Sequence, residues 1–147
     1  MDKDGTKINL NGSQIGVKGM EILASTSDLK NVVSLALQTN KLGDEGAKII
    51  AEAKLFANVR DLNLECNSIK VEGGKALAHS PHLKKLTHFN MVDNRIGDEG
   101  ALAIAESNNF KDLIYLHLGG NRIKSEEVKQ TLRNSPNLSK LQTLKIF

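Results

Sequence analysis

Apolar side chains recur along this chain with two spacings, and the switch from one to the other repeats down its length. At Leu62 and Leu64, and again at Leu116 and Leu118, apolar residues stand two apart, the period of a short strand with one face in a core. At Ala47, Ile50 and Ala51, and at Ala101, Ile104 and Ala105, the steps become three and four, which places them on one face of a helix. The pattern predicts strand, turn, helix and loop, followed by another strand.

Self-similarity sets the length of that unit. The string LALQTNKLGDEGA at 35–47 returns as FNMVDNRIGDEGA at 89–101, two periods of 27 later. In that frame Leu10, Leu37, Leu64, Met91 and Leu118 form one column, and Asn40, Asn67, Asn94 and Asn121 form another. The units are 5–31, 32–58, 59–85, 86–112 and 113–140, the last one residue longer, with a final strand at 141–147. Residues 1–147 therefore read as one repeat domain.

Each column has a physical role to fill. The turn asparagine has the donors and acceptor to bond backbone of the next coil, with Ser13 in its place in the first unit. Asp44, Asp98 and Ser125 are expected helix N-caps, followed by acidic residues that suit the helix dipole. Gly19, Gly46, Gly73 and Gly100 share a column, which implies a helix start packed too closely for a side chain; Glu127 breaks it in the last unit. Leu29, Phe56, Leu83, Phe110 and Leu138 close the units from beneath, and Ser135-Pro136 marks the turn out of the last helix. Stacked units share one core, with parallel strands side by side and helices outside. Helices are about 10 Å wide and strands about 4.8 Å apart, so the strands line the inner, concave side.

The opening of each unit fits LxxLxLxxNxL, most clearly as Val59, Leu62, Leu64, Asn67, Ile69 and as Leu113, Leu116, Leu118, Asn121, Ile123. With a unit of 27 and NxIGDEGA after the strand, the chain resembles the leucine-rich repeat proteins of the ribonuclease-inhibitor type. That resemblance implies an α/β fold, a curved right-handed solenoid with strands on the concave face and helices on the convex face. It also implies a protein partner held on that face or its rims, with inhibition where an active site is covered, without catalysis or a cofactor. Solitary arrays of this type also occur among the injected effectors of intracellular bacteria, which makes a host cytosol one expected setting.

Composition narrows this little. The 20 Lys and Arg are nearly balanced by 17 Asp and Glu, with signs interleaved, which gives no nucleic-acid footprint. Lys84-Lys85 is too short to be one, and basic and aromatic residues do not interleave as RNA binders require. Apolar runs fall short of the roughly 20 residues that span a bilayer, and Met1 to Leu10 lacks a signal-peptide core, so a membrane is not expected. The single Cys66 cannot form an internal disulfide, which fits a reducing cytosol; beside the turn asparagine it reads as a small buried residue.

Candidate chemistry lies on the solvent-facing strand positions, which form rows across the stack. The first is Lys7, Ser34, Asp61, His88, Tyr115, Thr143; the second is Asn9, Ala36, Asn63, Asn90, His117, Lys145; the third is Asn11, Gln38, Glu65, Val92, Gly119, Phe147. A partner-binding centre is expected at Asp61, Asn63, Glu65, His88, Asn90, Val92, Tyr115, His117 and Lys145, anchored by Tyr115, which offers a large area for little entropy. Arg95 and Arg122 hold matching rim positions and would suit an acidic partner or, as an alternative function, a small GTPase. A hydrolytic reading makes His88 a base oriented by Asp61, and a metal reading uses His88 and His117. An open sheet disfavours both. His79 and His82 flank Pro81 in an expected solvated loop. GDEG lacks the lysine and glycine spacing of a phosphate loop, and Asp2, Asp4 and Gly5 only echo a calcium loop. Ile146 and Phe147 put apolar side chains on the last sheet edge, to be covered by a partner, a second copy or further chain.

Overall fold

A computed structural model describes residues 4–27, 29 and 31–147; Met1 to Lys3, including Asp2 of the calcium-loop echo, lie outside them. Each two-apart apolar pair folds with its first member in the middle of a three-residue strand and its second just past the strand's end, both turned toward the core. The strands are β1 (Lys7–Asn9), β2 (Ser34–Ala36), β3 (Asp61–Asn63), β4 (His88–Asn90), β5 (Tyr115–His117) and β6 (Thr143–Lys145). They form one parallel sheet in sequence order. Register keeps the repeat: Leu35 pairs with Leu62, Leu62 with Phe89, Phe89 with Leu116, and Leu116 with Leu144.

The helices between them are α1 (Gly16–Ser25), α2 (Gly43–Glu52), α3 (Val71–Ala78), α4 (Gly97–Glu106) and α5 (Glu126–Asn134). Ala47, Ile50, Ala51, Ala101, Ile104 and Ala105 are all buried, as their spacing predicts. Phe56, Phe89 and Phe110 fill the floor of the stack, and the last two rings pack 5.6 Å apart and tilted. Burying one such side chain contributes about 1.5–3 kcal/mol, whereas ordering each residue costs about 1–2 kcal/mol. A lone unit of 27 residues cannot meet that cost; neighbours sharing both faces can.

The asparagine column is a buried ladder. The Asn67 amide donates to Leu37 O at 2.8 Å and to Leu64 O at 3.1 Å, while its Oδ1 accepts from Asn40 N at 2.9 Å. Asn94 repeats this with Leu64 O and Asn67 N. These bonds reach the preceding coil, not the next one as expected, because the side chain points back under the strand it follows. A second ladder runs beneath the helices: Ser80, Ser107 and Ser135 hydroxyls donate to the carbonyls of Ala51, Ala78 and Ala105.

The helix starts correct the expected caps. Helices α2 and α4 begin at Gly43 and Gly97, with φ of +60° and +63° and no side-chain cap of their own. Each glycine N–H instead donates to the carbonyl of the next unit's asparagine, Asn67 or Asn121. Asp44 and Asp98, placed inside the first turn, serve the next unit. Asp44 accepts from Lys70 N at 2.7 Å and Gly73 N at 3.0 Å, and Asp98 accepts from Lys124 N at 2.8 Å and Ser125 N at 3.0 Å. Ser125 is a true N-cap, accepting from Val128 N. The glycine column has the expected cause: a Cβ at Gly46 or Gly100 would stand 2.6 or 2.7 Å from the Cβ of Leu42 or Ile96.

Candidate functional site

Because the middle residue of each strand points inward, the flanking ones must point out, and parallel register stacks them into rows. Lys7, Ser34, Asp61, His88, Tyr115 and Thr143 are successive partners, as are Asn9, Ala36, Asn63, Asn90, His117 and Lys145. In the first row the His88 Nδ1 lies 3.1 Å from Asp61 Oδ1, with both side chains about half exposed at 53% and 51%. The His88 ring stacks on Tyr115 with centroids 6.0 Å apart and planes 25° apart.

Tyr115 links the rows. Its hydroxyl meets His117 Nδ1 at 3.3 Å, the two rings meet edge to face, and Lys145 Nζ stands 5.7 Å from the tyrosine centroid. Burial and the Lys145 charge hold the His117 pKa below its usual 6.5, against weaker opposing pulls from Glu65 and Asp93. Glu65 Oε2 accepts from the Asn90 amide at 3.1 Å. Val92 is half-buried and Lys145 exposed.

Asn63 and Asn90 turn out to do structural work as well. Their Oδ1 atoms accept from the backbone N–H two residues on, Glu65 N at 3.0 Å and Val92 N at 3.0 Å, and Asn9 does the same. This local turn chemistry uses part of what they would offer a partner. Two residues outside the expected centre shape it. Thr87 Oγ1 lies 3.1 Å from His88 Nδ1. Gly119 is buried, and a Cβ there would sit 3.0 Å from Phe147 O and 3.1 Å from His117 Nε2. Only the position of Gly119 beside Phe147 in the third row signals this in the sequence.

The remaining candidates fall away from the cluster. Arg95 and Arg122 are exposed on successive turns of one rim. His79 caps the end of α3 with Nδ1 2.8 Å from Lys75 O, and His82 is half-buried. Cys66 is half-exposed, not buried, at φ 55°; burial and the nearby Asp93 raise its thiol pKa. Ile146 turns into the core at 6% exposure, so the apolar edge reduces to Phe147 at 93%.

An open, outward-facing row of this kind offers a surface for recognition. Ser34, Ala36, Asp61, Asn63, His88 and Tyr115 line a shallow hollow of about 210 Å³, below the roughly 300–1,000 Å³ of small-molecule sites. Thr87 and Asp61 both approach the same nitrogen of His88, whereas a base in a nucleophile triad takes them on opposite nitrogens. Among the described residues no three His, Cys, Asp or Glu side chains group as a metal site, and no helix is long and apolar enough to cross a membrane.

Strands in one parallel ladder, helices on the other side and an open outward row define an α/β solenoid. Residues 29–51, 57–78 and 80–105 match the family model for the leucine-rich repeat. On repeat and fold together, the chain carries leucine-rich repeats stacked as an α/β leucine-rich-repeat solenoid. Among solved structures it is similar to one described as leiomodin-1 actin-binding site 2, at 20% identity and a TM-score of 0.51, covering 95% of this chain and 69% of that one. No curated protein matches it.

Proposed function

We propose that this chain is a non-catalytic protein-interaction module of ribonuclease-inhibitor-like type, which docks a protein partner on its concave sheet around His88, Tyr115 and His117. One observation carries the reading. The chain has four Phe and one Tyr; Phe56, Phe89 and Phe110 are in the core, while Tyr115 stands half out of the sheet with two histidines and a lysine around it. Half-exposed aromatic groups flanked by polar ones are what interface hot spots are made of. The leiomodin-1 structure is named for an actin-binding site, which gives the fold a precedent for protein partners.

The test compares affinity capture by the wild type with capture by Tyr115→Ala and His88→Glu. Loss of a hot-spot tyrosine costs about 2 kcal/mol or more, so a real partner should drop by at least about thirtyfold in affinity. The melting temperature should stay within a few degrees of wild type. A partner retained at full affinity by both variants sinks the reading.

A further inference from the structure

The hollow between the first and second rows has a chemistry of its own. It runs across the strands from the small side chains Ser34 and Ala36 to the Tyr115 ring, over a floor of Leu35, Leu62 and Phe89. Its one carboxylate is Asp61. Oδ1 faces His88, and among the described residues the Asp61 side chain, about half exposed, makes no other hydrogen bond or ion pair. Its far wall is the His88 and Tyr115 ring stack.

An apolar floor, a half-free carboxylate and a ring face suit one kind of group, a cation carried on an apolar stem. The hollow holds several waters' worth of space at about 30 Å³ each, enough for one long side chain and too little for a folded element. A planar guanidinium can donate to the carboxylate oxygen that His88 leaves unengaged and lay its flat face on a ring at once, a geometry the compact ammonium lacks.

We propose that this hollow is an arginine-reading subsite: the partner presents an arginine whose guanidinium pairs with Asp61 and lies against the His88 and Tyr115 rings. The proposal rests on the concave-face reading and names the chemistry of its partner.

The test uses three blocked tripeptides, acetyl-Gly-Arg-Gly-amide and its citrulline and glutamate counterparts, titrated to millimolar concentration at pH 7.5 into the isotope-labelled 147-residue chain. The readout is amide and side-chain NMR shifts. The arginine peptide should move the resonances of Asp61, His88 and Tyr115 saturably. Citrulline, with the same shape and no charge, should bind at least tenfold more weakly, as should arginine to Asp61→Asn. Equal binding of citrulline, binding unaffected by Asp61→Asn, a response to the glutamate peptide instead, or shifts that grow with protein concentration alone each overturn it. If the arginine peptide fails while Tyr115→Ala still abolishes capture of a partner, the concave face stands and the arginine subsite falls. If capture ignores Tyr115→Ala while the peptide still binds Asp61, the larger reading falls and the subsite stands.

Discussion

Replacing Asn67 by alanine tests the physical basis of the stack more sharply than any core truncation. Its side chain is 0% exposed and serves two coils at once. Removal strands the Asn40 N–H that now meets Oδ1 at 2.9 Å and the Leu37 carbonyl that now takes the amide at 2.8 Å. Leaving a buried donor or acceptor unmade costs about 1–3 kcal/mol each, so two such groups give about 2–6 kcal/mol. At about 2–4 °C per kcal/mol for a chain of this size, a mid-range loss of about 4 kcal/mol lowers Tm by about 8–16 °C. Asn11→Ala is the control. Asn11 also bonds across a step of 27, accepting from Gln38 N at 2.9 Å, but it is exposed and water can replace it. Its loss should stay within about 0.5–1 kcal/mol. Urea unfolding followed by circular dichroism gives both values, and an unchanged m-value shows that the same surface unfolds. If Asn67→Ala costs under about 1 kcal/mol, or no more than Asn11→Ala, burial of the ladder is not what ties the units together.

Three further outcomes are expected. Asp98→Ala should cost about 1–2 kcal/mol and speed hydrogen exchange at Lys124 and Ser125, in the unit after the substitution; faster exchange confined to α4 would contradict the cross-unit cap. Gly100→Ala should cost about 1–3 kcal/mol by overpacking against Ile96, and a neutral or stabilising result in thermal melts would show that Ile96 moves freely. For His117 the folded pKa lies below 6.5, so the unfolded chain binds the proton more readily below that pH. Its contribution to stability is therefore present above about pH 6.5 and lost as pH falls through the folded value. An NMR titration should place His117 below 6.5 and Lys145→Met should raise it; titration at or above 6.5 refutes the environment described for it.

What the sequence made legible is what repeats by residue type. Leu62, Leu64 and Asn67 recur at their step because every coil needs the same inward side chains and the same ladder amide, so strands, register and outward rows all followed from spacing. What it hid is bonding that crosses units. Asp44 looks like a cap for the helix it begins, since local spacing cannot reveal that Gly43 starts that helix first and that the carboxylate lies nearer to Lys70. The serine ladder was concealed by its own incompleteness: Ser80, Ser107 and Ser135 stand in a column that holds Thr26 and Ala53 in the earlier units. Asn63 and Asn90 were legible as outward residues but not as turn-formers, because facing solvent and accepting from a near backbone N–H leave the same trace in the sequence.

These two kinds of residue also separate energetically, which makes the site testable apart from the scaffold. Asp61, His88 and Tyr115 contact one another across the sheet face and take no part in the asparagine ladder or the core. Exposed substitutions of this sort typically shift stability by no more than about 0.5 kcal/mol, and effects at sites without shared partners add. A double variant such as Asn67→Ala with Asp61→Asn should therefore unfold like Asn67→Ala alone and, at a temperature where it is folded, bind like Asp61→Asn alone. Significant coupling in stability would mean that the recognition row helps hold the units in register. The outward face would then be part of the fold, and its residues would not be free to vary independently of the stack that presents them.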